Sequence, residues 1–143
     1  MEYINNSNIY YVKQNVDHKE YFMHQYVYRL NIVNIPQIIE YDQEKKILVL
    51  QKVGSNNLSH NYGEEATDLP NEIFEEVSKI IRTLSLNGIE YPDITGYNFL
   101  IDKKENIWII DFGHAYVKSP DDEDDPFVVE FLNGKNGWNP NYK

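Results

Sequence analysis

An α+β fold follows from three features of this 143-residue sequence. Two pairs of β-rich runs, "QIIEYD" with "KILVLQKV" and "FLID" with "IWII", are each separated by a short charged turn, the pattern of antiparallel hairpins. Between them, a run from Pro70 to Leu86 repeats its apolar residues at helical spacing. The length suits one domain over 1–143 with a modest core.

The elements follow in order. Residues 2–13 read as one or two short strands, with Ile9, Tyr10, Tyr11 and Val12 as β-formers. A helix is expected over 17–31, with Asp17 as its N-cap and Phe22, Tyr26 and Leu30 on one face. Pro36 ends anything helical, and the hairpin around "DQEKK" follows. The stretch "GSNNLSHNYGEEATDLPN" reads as a long polar loop. Pro70 suits the first turn of the next helix, whose stripe is Ile73, Phe74, Val77, Ile80, Ile81 and Leu84. Asn87 and Gly88 end it, with Gly88 suited to a left-handed position. In the second hairpin, 99–102 should pair antiparallel with 107–110 across "KKEN". The tail from Lys118 is polar, with Phe127, Val128, Val129, Phe131 and Trp138 as its apolar anchors.

Charge and composition exclude several functions. The formal net charge is −10, which argues against a nucleic-acid partner. Half of that excess is the run "DDEDD" at 121–125, read as a solvated loop. Without cysteine there are no disulfides, thiolate metal sites or thiol nucleophiles. The four histidines are scattered, without metal-ligand spacing; His114 reads as packed beside a turn and His60 as solvent-facing. The opening "MEYINNSNIY" lacks the apolar core of a signal peptide, and no apolar run approaches the ~20 residues that span a bilayer. A soluble, intracellular protein with no membrane partner is the expectation.

The chemistry concentrates in "YPDITGYNFLIDKKENIWIIDFGHA". Asp93 and Asn98 lie five apart in a segment with Pro and Gly, hence on a loop. Asp111 follows an apolar strand directly, and Gly113 allows a sharp turn there. If the two strands pair, the loop before the first and the residue after the second meet at one end. A carboxylate with an amide oxygen suits a hard divalent ion such as Mg²⁺, and a second carboxylate can accept a proton or orient a nucleophile.

D-x-x-x-x-N, then a strand hairpin, then D-F-G resembles the catalytic-loop and metal-loop signature of the protein kinase-like superfamily. The wording "DITGYNFLID" and "WIIDFGHA" resembles the atypical branch that includes the Bud32 and RIO kinases and the small-molecule phosphotransferases, and also short kinase-like proteins of giant DNA viruses. The similarity runs over about residues 9–116. It implies a minimal kinase-like fold with a small N-terminal antiparallel sheet and a truncated helical C-terminal part. Residues 1–53 would form a reduced N-lobe and hinge, and 54–143 a reduced C-lobe. By this resemblance Asp93 is the catalytic Asp, and Asn98 and Asp111 hold Mg²⁺ or Mn²⁺. Lys13 in "YYVK" neutralises the phosphates of ATP or GTP. "LVLQKVG" at 48–54 resembles the hinge strand, with Leu50 as gatekeeper and the backbones of Gln51 and Val53 against the base. Glu20 is the candidate ion-pair partner of Lys13, with Gln25 as the alternative register.

Departures from the pattern accompany the match. None of the residues before Lys13 is Gly, so no Gly-rich clamp covers the phosphates, and Tyr91–Pro92 stand where the family has His-Arg or His-Gly. No A-P-E follows Gly113. The expected function is Mg²⁺-dependent transfer of a γ-phosphoryl group to a hydroxyl of a protein or small molecule, in the host cytoplasm if the protein is viral. The alternative is an inactive pseudokinase, a nucleotide-binding or protein-interaction module; an unrelated carboxylate hydrolase is a third reading. Short flanks would also leave part of the 70–86 helix uncovered, an apolar surface for a protein partner or a second copy.

Overall fold

The computed structural model describes residues 9–54 and 56–142 and has the mixed α+β architecture of a minimal kinase-like fold. β1 (Tyr10–Lys13), α1 (His18–Leu30), β2 (Ile38–Asp42) and β3 (Ile47–Gln51) come first. β3 is the centre of an antiparallel sheet in the order β1-β3-β2, with Lys13 opposite Leu48 and Asp42 opposite Ile47. The rest of the strand expected from residue 2 lies outside the described residues. Behind the sheet, Val16, Leu48 and Leu50 form a small buried cluster, closed by Tyr21 stacked on Tyr41 at 4.4 Å.

α1 begins where Asp17 caps it, its side chain accepting from the Glu20 N–H at 2.9 Å. Its inward face, however, is not the expected one. Phe22 is 52% exposed and Leu30 is exposed too, whereas Glu20, Met23, His24 and Val27 are buried. Tertiary packing selects this face because His24 and Glu20 find partners inside. His24 Nε2 donates to the Pro36 carbonyl at 2.7 Å, and its ring meets Phe112 edge-on at 5.4 Å.

The segment from 54 to 71 is more ordered than a loop. It holds β4 (Asn56–Asn57), α2 (Leu58–Tyr62) and a 3₁₀ turn at Ala66–Asp68. Asn57 caps α2 by accepting from the His60 N–H, and Leu58 is wholly buried. Gly54 sits at φ +62°, and a Cβ there would collide with the carbonyl oxygen of Ile101. Only glycine lets the chain leave β3 so close to the second hairpin.

α3 (Asn71–Leu86) follows Pro70, which lies one position before the first turn, and ends at Asn87 with Gly88 at φ +77°. Ile73, Val77, Ile80, Ile81 and Leu84 are buried and Phe74 partly so. The stripe is covered, contrary to the expectation of an open apolar face. α4 (Pro126–Leu132) supplies the cover: Phe131 lies 5.4 Å from Phe74, and Val128 and Trp138 complete the core. Val129 is exposed and takes no part in that core. The ground for expecting a partner on α3 is therefore gone.

Four short strands then frame the central loops. β5 (Ile89–Glu90) pairs with β8 (Tyr116–Val117), and β6 (Phe99–Ile101) pairs with β7 (Ile107–Ile109), both antiparallel. Phe99 stands opposite Ile109. β4 adds to the free side of β6. The loops 91–98 and 110–115 are thus clamped at both ends and lie side by side.

The buried His24 imidazole gives a pH signature. Burial, aided by the Lys13 charge, depresses its pKa from 6.5 to about 4 against the pull of the Pro36 bond. The unfolded chain therefore takes the proton first as pH falls. Stability from the neutral ring is complete above about pH 6.5 and is lost between there and about pH 4, a change on the order of 3 kcal/mol. Urea denaturation of the parent and of His24→Gln at stepped pH should show the parent losing that much relative to the variant; parallel profiles would refute it.

Candidate active site

Asp93, Asn98 and Asp111 come together through backbone bonds. Asn98 Nδ2 donates to the Asp93 carbonyl at 2.9 Å, and the Asn98 carbonyl accepts from the Ile110 N–H at 3.0 Å. Tyr91 is wholly buried, and its hydroxyl donates to the Ile110 carbonyl at 2.6 Å. Both polar groups of Ile110 are held, so the next residue, Asp111, is fixed in place.

Asp111 takes a left-handed conformation, φ +65°, which Asp tolerates better than most residues, and Gly113 follows within the turn that the Ala115 N–H closes by donating to the Phe112 carbonyl at 3.2 Å. The Gly113 N–H donates to Asp111 Oδ1 at 3.3 Å. A Cβ on Gly113 would come within 3.2 Å of Glu20 Oε1, so glycine here makes room for α1. Phe112 points inward and is fully buried against His24 and Tyr91.

Lys13 reaches the same place from β1. Its Nζ lies 2.5 Å from Glu20 Oε2 and 3.4 Å from Asp111 Oδ1. Gln25, the alternative register, faces Arg29 on its own helix. Burial opposes the Lys13 charge, but the Glu20 hydrogen bond and the Asp111 and Glu20 charges outweigh it and hold the ammonium above its ordinary pKa. Burial pushes the Glu20 carboxyl up while Lys13 pulls it down, and burial prevails. Asp93 is raised by burial and by the Asp111 charge, with His114 and Asn98 opposing.

Leu50 is buried, and with Pro36, Gln51, Val53, Leu100 and Ile110 it lines a cavity of about 270 Å³. Small-molecule sites start near 300 Å³. Ile110 and Tyr97, which also lines the cavity, are the chain neighbours of Asp111 and Asn98, so the cavity opens beside the acidic cluster. A larger open groove, about 1050 Å³, lies across Gln51–Gly54 toward Trp108, and none of Lys13, Asp93, Asn98 or Asp111 lines it. The Gln51 N–H donates to the Gln37 carbonyl at 2.9 Å and is committed to the sheet.

The oxygens present are hard donors suited to Mg²⁺ or Mn²⁺. Among the described residues, no group of three or more His, Cys, Asp or Glu is placed to hold a metal alone. An ion here would depend on one or two protein oxygens plus ligand phosphates, the usual manner of Mg²⁺.

Two further contributors carry no signal in sequence spacing. His114 is more open than expected, its side chain 59% exposed although its ring lies 4.8 Å from that of Tyr142, and its Nδ1 lies 3.3 Å from Asp93 Oδ2. Asn139, buried in the tail, donates from Nδ2 to the Pro92 carbonyl at 2.7 Å and from its backbone N–H to the Ile94 carbonyl at 2.9 Å. It grips the chain on both sides of Asp93.

The fold is of the kinase-like class. A profile of the RIO domain matches residues 1–128, and the chain belongs to the RIO-domain family. Over 57 residues it is 30% identical to the 3-deoxy-D-manno-octulosonic acid kinase of Vibrio cholerae serotype O1, a stretch that is 40% of this chain and 24% of that protein. Over 50 residues it is 34% identical to the protein of the same name from Vibrio vulnificus, covering 35% of this chain and 21% of that one. The matched stretches span less than a quarter of those relatives. No helix among the described residues is long and apolar enough to cross a membrane.

Removing the Asn139 side chain should loosen the loop it holds. Asn139→Ala leaves the Pro92 carbonyl without its buried donor, which costs about 1–3 kcal/mol. Denaturation midpoints measure it, and a loss well under 1 kcal/mol would mean that the bond contributes little.

Proposed function

We propose that this chain binds a nucleoside triphosphate with Mg²⁺ and transfers the γ-phosphoryl group to a hydroxyl. The observation that carries the reading is the meeting of Lys13, Glu20 and Asp111 on one side of the Asn98 bridge with Asp93 on the other. In this reading the base enters the cavity under Leu50. Because the Gln51 N–H is already taken, the Val53 backbone supplies the donor to the base, and Gln51 contributes its carbonyl side. Lys13, oriented by Glu20, neutralises phosphate charge. Asn98 and Asp111 would hold the ion, which when bound offsets charge on the phosphate oxygens.

Asp93 orients the acceptor hydroxyl and takes its proton as the oxygen bonds to the γ-phosphorus. The bond from that phosphorus to the bridging oxygen breaks, and the nucleoside diphosphate leaves with the electron pair. Burial and the Asp111 charge raise Asp93, which favours proton uptake. The acceptor is a hydroxyl of a small molecule or a protein; the octulosonic acid kinases named above favour the former.

One observation favours a binding module without transfer. Lys13 already contacts Asp111, so a protein cation sits where the ion would. Binding and turnover separate the two readings.

Two variants test the roles. Asp111→Asn keeps a residue that tolerates the left-handed turn but removes the charge, so the fold should persist while Mg²⁺–ATP affinity falls at least tenfold. Calorimetry with and without Mg²⁺ measures this, and unchanged affinity would deny Asp111 the role. Asp93→Ala should leave nucleotide affinity nearly as it was and slow transfer by ~10²–10⁴. A parent that binds Mg²⁺–ATP but shows no turnover with any acceptor, water included, is the module.

A further inference from the structure

Asp93 is nearly closed off from solvent: only 9% of its side chain is exposed. Its backbone carbonyl is held by Asn98. Its Oδ2 meets His114 Nδ1 at 3.3 Å, and His114 is the exposed member of the pair. A carboxylate only accepts, so the neutral imidazole must carry its proton on Nδ1, which leaves Nε2 as the outward atom. The Tyr142 ring lies 4.8 Å from the His114 ring. Tyr142 is brought there by the turn that Asn139 begins: the Tyr142 N–H donates to the Asn139 carbonyl at 3.2 Å, and the Asn141 N–H to Asn139 Oδ1 at 3.1 Å. Asn139 also bonds the carbonyls before and after Asp93. One tail residue therefore holds the Asp93 backbone, while the ring set against that tail at a tilt holds the Asp93 side chain.

We propose that His114 is a positioning residue for Asp93, and that with Tyr142 it forms the wall past which an acceptor hydroxyl must come. The inference rests on the phosphotransferase reading above and adds the acceptor side to it. A carboxylate that takes a proton must point one oxygen along a defined direction, and a misplacement of about 1 Å can cost on the order of a hundredfold in rate. Asn98 fixes the Asp93 backbone, and the His114 donor fixes the rotation of its carboxyl group. A hydroxyl reaching Oδ2 would pass beside His114 Nε2 and the Tyr142 ring, so the two rings select what enters.

Two substitutions at one position separate orientation from packing. His114→Asn keeps an N–H donor near the place of Nδ1 but loses the ring. His114→Phe keeps a ring for Tyr142 but has no donor. Turnover of Mg²⁺–ATP should fall ten- to a hundredfold in kcat for His114→Phe with KM for nucleotide unchanged, and His114→Asn should retain most of the parent rate. The reverse order, with the ring sufficient and the donor dispensable, would overturn the proposal. Nitrogen-15 spectra at about pH 8, above the ordinary titration of His, give a readout free of activity. The parent His114 should be the Nδ1–H tautomer, and Asp93→Ala should return it to Nε2–H. An Nε2–H tautomer in the parent overturns the proposal even if turnover is normal. A parent with the Nδ1–H tautomer that binds no Mg²⁺–nucleotide brings down the phosphotransferase reading instead, and with it the catalytic meaning of His114.

Discussion

The grip on Ile110 is the contact on which the site depends. Its N–H bonds the Asn98 carbonyl and its carbonyl receives the Tyr91 hydroxyl. One residue thus ties the loop bearing Asp93 to the strand end bearing Asp111. The paired strands β5–β8 and β6–β7 hold these loops at both ends, but they set only the direction of the chain. The Tyr91 and Asn98 bonds, made in a buried setting where an unmade bond is costly, set the position of the acids. Tyr91 stands at the position that the resemblance gives to a His. A phenol serves because it presents one donor at the end of a long, wholly buried ring, which also packs edge-on against Phe112 at 5.4 Å.

The placement of α1 follows from the same centre. Phe112 lies between Tyr91 and His24, and His24 is bonded to the Pro36 carbonyl. Rings on either side of Phe112 therefore link the loop at 110–115 to α1 and to the chain entering β2. Glu20 rides on this helix one turn before His24 and meets Lys13 across the gap. The absent side chain at Gly113 leaves the space that brings Glu20 there. Neutral His24 and charged Glu20 face inward together because each has one specific partner, which is the condition for burying a polar group.

Much of this was legible in the sequence, and the parts that were not share a cause. α3 announces itself because its apolar spacing coincides with its burial, both hairpins because β-rich runs flank short charged turns, and the Asp17 cap is a local signal. The family signature in 93–113 is local too. α1 misleads because its buried face carries Glu20 and His24, so a search for apolar periodicity settles on Phe22, Tyr26 and Leu30, which face outward or sideways. The segment 54–71 looks like loop because α2 has only five residues and a single wholly buried Leu58. Gly113 does lie in a turn, but the left-handed residue is Asp111, just after Ile110 is held from both sides, and no local signal announces it. His114 with Asp93 and Asn139 with Pro92 are contacts over 21 and 47 residues, and no spacing rule encodes them.

Electrostatics adds a last constraint on the phosphotransferase reading. The candidate site brings the carboxylates of Glu20, Asp93 and Asp111 together with the ammonium of Lys13, in a chain already carrying −10. Glu20 and Asp93 are both pushed up in pKa, by burial first and by the Asp111 charge in the same direction. A triphosphate brought alone into such a cluster would meet repulsion at short range that Lys13, already shared between Glu20 and Asp111, could not offset. On this reading a divalent cation is needed for binding as well as for transfer. Asp111 would hold that ion, and Lys13, which now contacts Asp111, would then serve the phosphates. The Lys13–Asp111 contact is thus the point where the two readings part: the protein's own cation now screens the acid that the phosphotransferase reading gives to the ion.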